Sequence, residues 1–137
     1  MNKAIKLAVV LFLMILCPAN VSYSAQKEVL LKTTSTWDNV EYKKLKIKKP
    51  EATVLKIIIN VNETLPMHKH DLINVAYIKK GTLTVVTEYN KEITLHEGDV
   101  LSELVESYHY GKNTGNVPVE LIVFYLGEKG TPLSINK

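Results

Sequence analysis

The sequence feature that most restricts the fold is a series of short β-rich runs that begins near residue 28 and sustains no helical period. These runs are rich in β-branched residues, and turn-forming residues divide them at short intervals. Strands of this length and spacing predict a single all-β domain, either a sandwich or a barrel. The predicted strands are 54–61, 74–78, 82–87, 92–95, 100–105 and 117–126.

Two further regions bear on how these strands connect. Lys79, Lys80 and Gly81 separate the second and third predicted strands, and so short a connection predicts a tight β-hairpin. The lysine-rich stretch 28–49 predicts one or two edge strands, because charged side chains protect an exposed sheet edge from pairing with another chain. Trp37 within this stretch is interpreted as a packing residue.

The first 25 residues differ in character from the rest of the chain. Two lysines precede the apolar run 7–17, Pro18 ends that run, and several small residues follow. This is the layout of a secretory signal. The run is also shorter than the roughly 20 residues that cross a bilayer. We therefore predict a signal peptide over 1–25 and a domain over 26–137 that is exported to the periplasm or outside the cell, with no stable membrane anchor after cleavage.

Charge and composition exclude several kinds of partner. The formal net charge is +3 and falls to +1 without the two N-terminal lysines, so nothing favours nucleic acid as a partner. Every basic residue is lysine, and the lack of arginine weighs against nucleotide ligands, which a guanidinium group recognises well. The single cysteine lies in the predicted signal peptide, so disulfide bonds are not expected in the domain.

The first chemical signal is the triplet His68, Lys69, His70. In a strand, residues two apart project from the same face at about 6 to 7 Å along the chain, so the two imidazoles can converge on one ion while Lys69 points away. Such a pair is weak evidence by itself, because exposed histidines also occur by chance. The residues that follow it at fixed spacing strengthen the metal-site interpretation.

Two spaced motifs surround this pair. Asn74 lies four residues after His70, and Gly81 lies seven residues further on. Gly98, His109 and Asn113 then follow at a second fixed spacing, and the two sets of residues together lie within 63–113. This arrangement resembles the two motifs of the cupin superfamily, and the chain is identified as a member of its small single-domain group. The resemblance implies a double-stranded β-helix, or jelly-roll barrel, with His68, His70 and His109 as ligands of one divalent metal ion.

The chain departs from the family pattern at two places. Asn74 stands where the first motif has an acidic ligand, and the usual turn of the second motif is replaced by Leu104, Val105 and Glu106. Asn74 has the strand parity to face the histidine pair, but an uncharged amide is a poorer ligand than a carboxylate. Glu103 has the same parity as His109, so it is a candidate fourth ligand or catalytic base. Glu106 is the second choice, and a solvated surface carboxylate is the simpler interpretation of it.

The metal and the ligand pocket follow from this site. Three neutral histidines suit zinc or iron(II), with nickel as a further candidate, whereas manganese prefers more oxygen ligands. Met67, Tyr77 and Tyr108 flank the histidines and are candidates to line a pocket for a small apolar or aromatic ligand, with core packing as the alternative. His96 adjoins a turn and is predicted to be exposed.

Two functions fit these expectations. The first is a metal-dependent enzyme acting on a small molecule outside the cytoplasm, with an iron(II) oxygenase-type reaction favoured and an isomerase as another option. The second is a non-catalytic module of the cell envelope that binds a small molecule or a metal. The fold alone does not decide between them. The resemblance also implies a homodimer.

Overall fold

The computed structural model describes residues 25–44 and 47–137, and these residues form an all-β domain of nine strands without a helix. All but the last residue of the predicted signal peptide lie outside the described residues. No helix in the described residues is long and apolar enough to cross a membrane. The strands are β1 (Pro50–Ile59), β2 (His68–Lys69), β3 (Ile73–Lys80), β4 (Leu83–Thr87), β5 (Glu92–Leu95), β6 (Val100–Ser102), β7 (His109–Asn113), β8 (Val119–Glu128) and β9 (Ile135–Asn136).

The strands form two antiparallel sheets that face each other, as expected for a jelly-roll barrel. One sheet has the order β1-β8-β3-β6, and the other has the order β5-β4-β7-β2-β9. The longest pairing joins β1 to β8, from Pro50 opposite Glu128 to Ile59 opposite Val119. The predicted all-β fold class is therefore confirmed.

The core lies between the sheets and is built by alternation along the strands. In β8, Val119, Leu121, Val123 and Tyr125 are buried, whereas the residues between them are more exposed. Full burial of an aliphatic side chain of this size contributes roughly 1.5 to 3 kcal/mol. The two sheets are therefore held together mainly by apolar contacts. A polar side chain on the same inward face costs free energy unless a hydrogen bond or a ligand compensates for its burial.

The predicted hairpin between 74–78 and 82–87 is wrong. β3 pairs with β6 and β8, whereas β4 pairs with β5 and β7, so the short connection carries the chain from one sheet to the other. Gly81 makes the crossing with a φ of +87°, and a Cβ at this position would lie 3.0 Å from the carbonyl oxygen of Pro118. Turn-forming residues indicate only that the chain changes direction. They do not indicate which sheet the next strand joins.

The predicted edge strands in 28–49 are also wrong for the described part of that stretch, which holds only an isolated bridge between Ser35 and Glu41. Its backbone groups are satisfied locally, since the amides of Thr36 and Tyr42 donate to carbonyls within the same stretch. Trp37 does pack against the core, as predicted, and its amide donates to the carbonyl of Ser102 over 3.0 Å.

Candidate metal centre

The three predicted histidine ligands meet in one cavity between the two sheets. His68 in β2 lies directly opposite His109 in β7 in the antiparallel register, and His70 follows β2 at the same parity as His68. One ring nitrogen from each residue lies within 4.8 Å of the other two, and the ring centroids are 4.7 to 5.1 Å apart. Three imidazoles at this separation can hold a metal ion.

Backbone carbonyls orient all three rings. The Nδ1 atom of His68 donates to the carbonyl of Pro66 over 2.7 Å. His70 donates in the same way to Leu133 over 2.6 Å, and His109 donates to Ser107 over 2.9 Å. A carbonyl oxygen only accepts, so each Nδ1 carries the proton. In the neutral rings Nε2 then has a free lone pair, which is the state that a metal ion requires.

Burial keeps the rings neutral. Loss of solvent lowers the pKa of His68 and of His109, and it lowers the pKa of His70 to about 4. The carbonyl contacts act in the opposite direction but are the smaller effect. At neutral pH the three residues therefore present unprotonated nitrogens.

Glu103 lies beside this cluster, but not through a shared strand parity, because residues 103–108 form a loop between β6 and β7. β6 ends at Ser102, earlier than the predicted end at 105, and the amide of Glu103 donates to the carbonyl of Asn74 over 3.1 Å. Its Oε2 lies 3.4 Å from Nε2 of His109, and its side chain is only 12% exposed. Burial raises the pKa of Glu103 to about 7, partly offset by His68 and by a backbone hydrogen bond.

Asn74 also faces the cluster. It lies on the inward face of β3, is 2% exposed, and is opposite Tyr125 of β8 in the register. Its Oδ1 has no hydrogen-bond partner among the described residues. The amide oxygen is therefore available to a ligand in the barrel.

The unsatisfied polar atoms show that the residues present fit a metal ion. Of four buried side-chain atoms without a hydrogen-bond partner in the described part of the chain, three line one cavity: Oδ1 of Asn74, Oε2 of Glu103 and Nε2 of His109. The cavity has a volume of about 50 Å³. Buried polar atoms are almost always paired. Two oxygens and a ring nitrogen that accept rather than donate are the donor set that a divalent cation satisfies.

Tyr125 is a site residue that sequence reasoning missed. Its ring centroid lies 5.9 Å from that of His70, and it is 6% exposed. Burial raises the pKa of its phenol, and Glu103 adds to the effect. Alternation along β8 could have shown that Tyr125 faces inward. Both faces of β8 carry apolar residues, however, so the sequence does not show which of its residues face the core.

The structure corrects the predicted pocket lining. Met67, Tyr77 and Tyr108 line neither of the cavities that contain the histidines. Tyr77 lies one position after the buried Ala76 in β3, so alternation turns it outward, whereas Met67 and Tyr108 lie just before β2 and β7. Tyr77 is 37% exposed on the outer face of β3, and the ring of Tyr108 lies under the Lys137 ammonium group.

The remaining predicted polar residues lie away from the cluster. Glu106 is exposed and forms an ion pair with Lys43, so it is a surface carboxylate. His96 is exposed, as predicted. Asn113, the last residue of the second motif, is structural. Its Nδ2 donates to the carbonyls of Ile59 and Val117, and its Oδ1 accepts from the amide of Gly115.

A second cavity, of about 230 Å³, lies against the first. The two share Ile57, Leu65, His68, His70 and Tyr125, so they adjoin each other. The outer wall comes from the C-terminal segment, which we define as residues 131–137 and which contributes Leu133, Ser134 and Asn136. His68 and His70 also line this second cavity, which we call the outer cavity to distinguish it from the inner cavity of about 50 Å³.

Comparison with known proteins agrees with this geometry at the level of the fold. The DMSP lyase DddQ from Ruegeria pomeroyi DSS-3 superimposes with a TM-score of 0.55 at 16% identity, covering 63% of this chain and 43% of the lyase. An oxalate oxidase in complex with glycolate gives 0.54 at 16%, covering 62% and 45%. An RmlC-like cupin from Shewanella frigidimarina gives 0.50 at 19%, covering 58% and 69%.

The aligned region therefore spans less than half the length of the lyase and of the oxidase. No curated protein matches the chain. The Cupin domain family model matches residues 55–125, which include the second half of β1, most of β8, every strand between them and all three histidines. With this match and the converging histidines, the chain belongs to the cupin family.

Proposed function

We propose that this cupin is an exported metalloenzyme that acts on a small molecule through one divalent ion held by His68, His70 and His109. The observation that carries the proposal is the orientation of the three rings. Each Nδ1 is bonded to a backbone carbonyl, and the ligand nitrogens lie within 4.8 Å of one another. Core packing alone does not require that all three rings bond to the backbone through Nδ1 and leave Nε2 free, whereas metal binding does.

Glu103 supports an enzyme rather than a storage site. Its buried carboxyl group lies 3.4 Å from His109 and has a pKa of about 7. A carboxyl group with this pKa can both accept and return a proton near neutral pH. We propose that Glu103 is either the fourth ligand or the base that moves the proton of the substrate, and that Asn74 and Tyr125 position the substrate beside it.

Iron(II) is the metal that we propose, with zinc as the second choice. Three nitrogen ligands leave several positions open around the ion. When bound, iron(II) in such a site supplies Lewis acidity and the capacity to react with dioxygen. The reaction class that we propose is therefore an oxygenase-type conversion of a small molecule. The named lyase and oxidase do not set the substrate, because identities of 16% support the fold alone.

One observation favours a non-catalytic module as the second candidate. The inner cavity has a volume of about 50 Å³, which leaves space for little more than an ion and a few small ligand atoms. A protein that only binds metal in the cell envelope needs no more space than this.

Export is a further part of the proposal. It rests on the apolar run 7–17, ended by Pro18 and followed by small residues. Intact-mass measurement of the protein recovered outside the cytoplasm should give a first residue between Ser24 and Lys27. Retention of Met1 in that fraction would contradict the proposal.

We also propose a homodimer. Outward-facing side chains of β1, β8 and β3 form an apolar surface in which Phe124 lies between Val54 and Val75 in the register. Phe124 is 58% exposed and Val54 is 52% exposed. Contiguous exposed apolar surface of this kind is typical of protein interfaces.

The experiment that tests the enzyme proposal measures the metal that purifies with the protein and then dioxygen consumption by the iron-loaded protein with a panel of small molecules. Turnover that is lost in Glu103→Gln and kept in Glu106→Gln would support the enzyme. The second variant removes a carboxylate three residues away that is exposed and paired with Lys43. Tight metal binding without turnover on any compound would favour the non-catalytic module.

A further inference from the structure

The outer cavity has a character that restricts what can enter it. Its walls are mainly aliphatic, from Leu55, Ile57, Leu65 and Leu133, with Tyr125 at its inner end. Its volume of about 230 Å³ is below that of a typical site for a drug-sized ligand. The apolar part of a bound molecule would therefore be small, and it would gain from leaving water.

Charge restricts the other end of the ligand. Among the described residues, no lysine lines either cavity, and the chain contains no arginine. A dianion would meet the ion, the Glu103 carboxyl group and the neutral side chains of Asn74 and Tyr125, with no side-chain cation to pair with its second charge. Burying an unpaired charge is costly. A neutral or singly charged oxygen headgroup avoids that cost, because a divalent ion beside one carboxylate retains a single positive charge.

We propose that the two cavities together bind a small molecule with an apolar body and a neutral or monoanionic oxygen headgroup. The headgroup enters the inner cavity, and the body lies in the outer cavity against Leu133. This inference rests on the metal site proposed above and names the substrate class of that site. Dianions such as oxalate are excluded as substrates.

The C-terminal segment is the specificity element of this site. It lies beyond the family match, which ends at residue 125, so this wall is not part of the matched cupin domain. β9 pairs with β2, with Ile135 opposite Lys69, and the amide of Lys137 donates to the carbonyl of Met67 over 3.0 Å. The carbonyl of Leu133 accepts from His70, so the same segment orients a metal ligand and lines the outer cavity.

The test compares two probes that share one chelating headgroup. Acetohydroxamate and benzohydroxamate both bind metals as monoanions, but only the second has an apolar ring. Calorimetric titration of the iron(II)-loaded protein without dioxygen should give an affinity for benzohydroxamate at least about tenfold above that for acetohydroxamate. Oxalate should bind more weakly than either.

A substitution then locates the ring. Leu133→Asp should lower the benzohydroxamate affinity at least about tenfold while leaving that for acetohydroxamate within about threefold. Leu133→Ala, which adds no charge, should reduce the difference between the probes in the same direction. Val61→Asp is the matched control, because Val61 is 41% exposed in the turn after β1 and lines neither cavity, and it should change neither affinity.

The outcomes separate the two proposals. Equal affinities for the hydroxamates in the parent protein, or an unchanged preference in both Leu133 variants, would overturn the substrate class and leave the metal site standing. Tighter binding of oxalate than of either hydroxamate would also overturn it. If neither hydroxamate binds the loaded protein, the open metal site itself fails, and this inference fails with it.

Discussion

The inner and outer faces of the sheet β1-β8-β3 each depart at one place from the usual distribution of polarity. The inner face carries Asn74 and leads to Glu103, and both have buried oxygens without a hydrogen-bond partner among the described residues. The outer face carries Phe124 and Val54, which are more than half exposed. Buried polar atoms normally have partners, and large apolar patches are normally covered. A bound metal or ligand would pair the buried oxygens of the inner face, and a second protein surface would cover the apolar side chains of the outer face.

The difference between the two faces shows which effects to expect from substitutions. An inward change acts on charges in a poorly solvated space, where each interaction is strong. An outward change acts on side chains that already contact water, where the effect on the free energy of unfolding is usually within about 0.5 kcal/mol. Four substitutions test this contrast, in order of decreasing expected effect.

The largest effect is expected from His70→Ala. Removal of one of three ligands should weaken metal binding at least about a hundredfold, since even the loss of a residue that only supports a ligand costs ten- to a hundredfold. The barrel should still unfold cooperatively, because its core does not depend on the ion. Competition with a chelator measures the affinity. His96→Ala is the control, because His96 is exposed, and equal metal binding in both variants would contradict the site.

Glu103→Gln is expected to change how the stability of the metal-free protein depends on pH. The pKa of Glu103 rises from 4.5 in the unfolded chain to about 7 in the fold, so the folded protein binds more protons between these values. The free energy of unfolding contributed by this group therefore falls as pH rises through that window. Above pH 7 the ionised group destabilises the fold by up to about 3 kcal/mol.

Urea unfolding at pH 5 and pH 8 with a chelator measures this effect. Glu103→Gln should gain stability relative to the parent protein at pH 8 and little at pH 5, and the contributions of the histidines are common to both proteins. Glu106→Gln changes an exposed carboxylate and should show no such difference. A gain that is the same at both pH values would show that the Glu103 charge is not the cause.

Asn74→Glu sharpens the assignment of the fourth ligand. A carboxylate in place of the amide should tighten manganese binding about tenfold if the position beside the histidines lacks a charged oxygen. Glu103 lines the same cavity, so two carboxylates would repel each other. We therefore expect the tightening only when Glu103→Gln is also present. Tightening in Asn74→Glu alone would indicate that Glu103 is not a ligand, and no change in either background would show that residue 74 does not reach the metal.

The smallest effect on the fold is expected from Phe124→Lys on the outer face. The substitution should leave the free energy of unfolding of the monomer within about 0.5 kcal/mol while raising the Kd of the proposed homodimer about tenfold. Sedimentation at several protein concentrations measures this change. Tyr89→Lys alters an aromatic residue that is 80% exposed after β4, and it should leave the dimer intact. Identical sedimentation of both variants and the parent would contradict the interface.

The sequence predicted the parts of this molecule that depend on local spacing. Residues two apart in extended backbone share a face, which placed His68 and His70 together. The parity argument for Glu103 does not hold, because a loop separates it from β7, although the residue does lie beside His109. The cupin motifs then supplied the fold and the distant histidine. These predictions needed no knowledge of which strands are neighbours.

The parts that failed depend on contacts between distant strands. The turn at Gly81 looks the same in a hairpin and in a crossing between sheets, and only the pairing partners of β3 and β4 distinguish them. Tyr125 was missed because β8 is apolar on both faces. The bond from His70 to Leu133 uses a backbone carbonyl, which every residue has, so no side-chain pattern could have indicated it.

The three bonds from histidine Nδ1 atoms to backbone carbonyls also mean that the rings need no ion to orient them. Because the backbone rather than an ion holds the rings, the chain can fold first and take up its metal afterwards, unlike a zinc finger, which is unfolded without metal. The folded protein would then bind its metal from the ions present around it. Affinity for such a site rises from manganese to copper along the divalent series. The metal that the protein carries would therefore depend on the compartment in which folding ends.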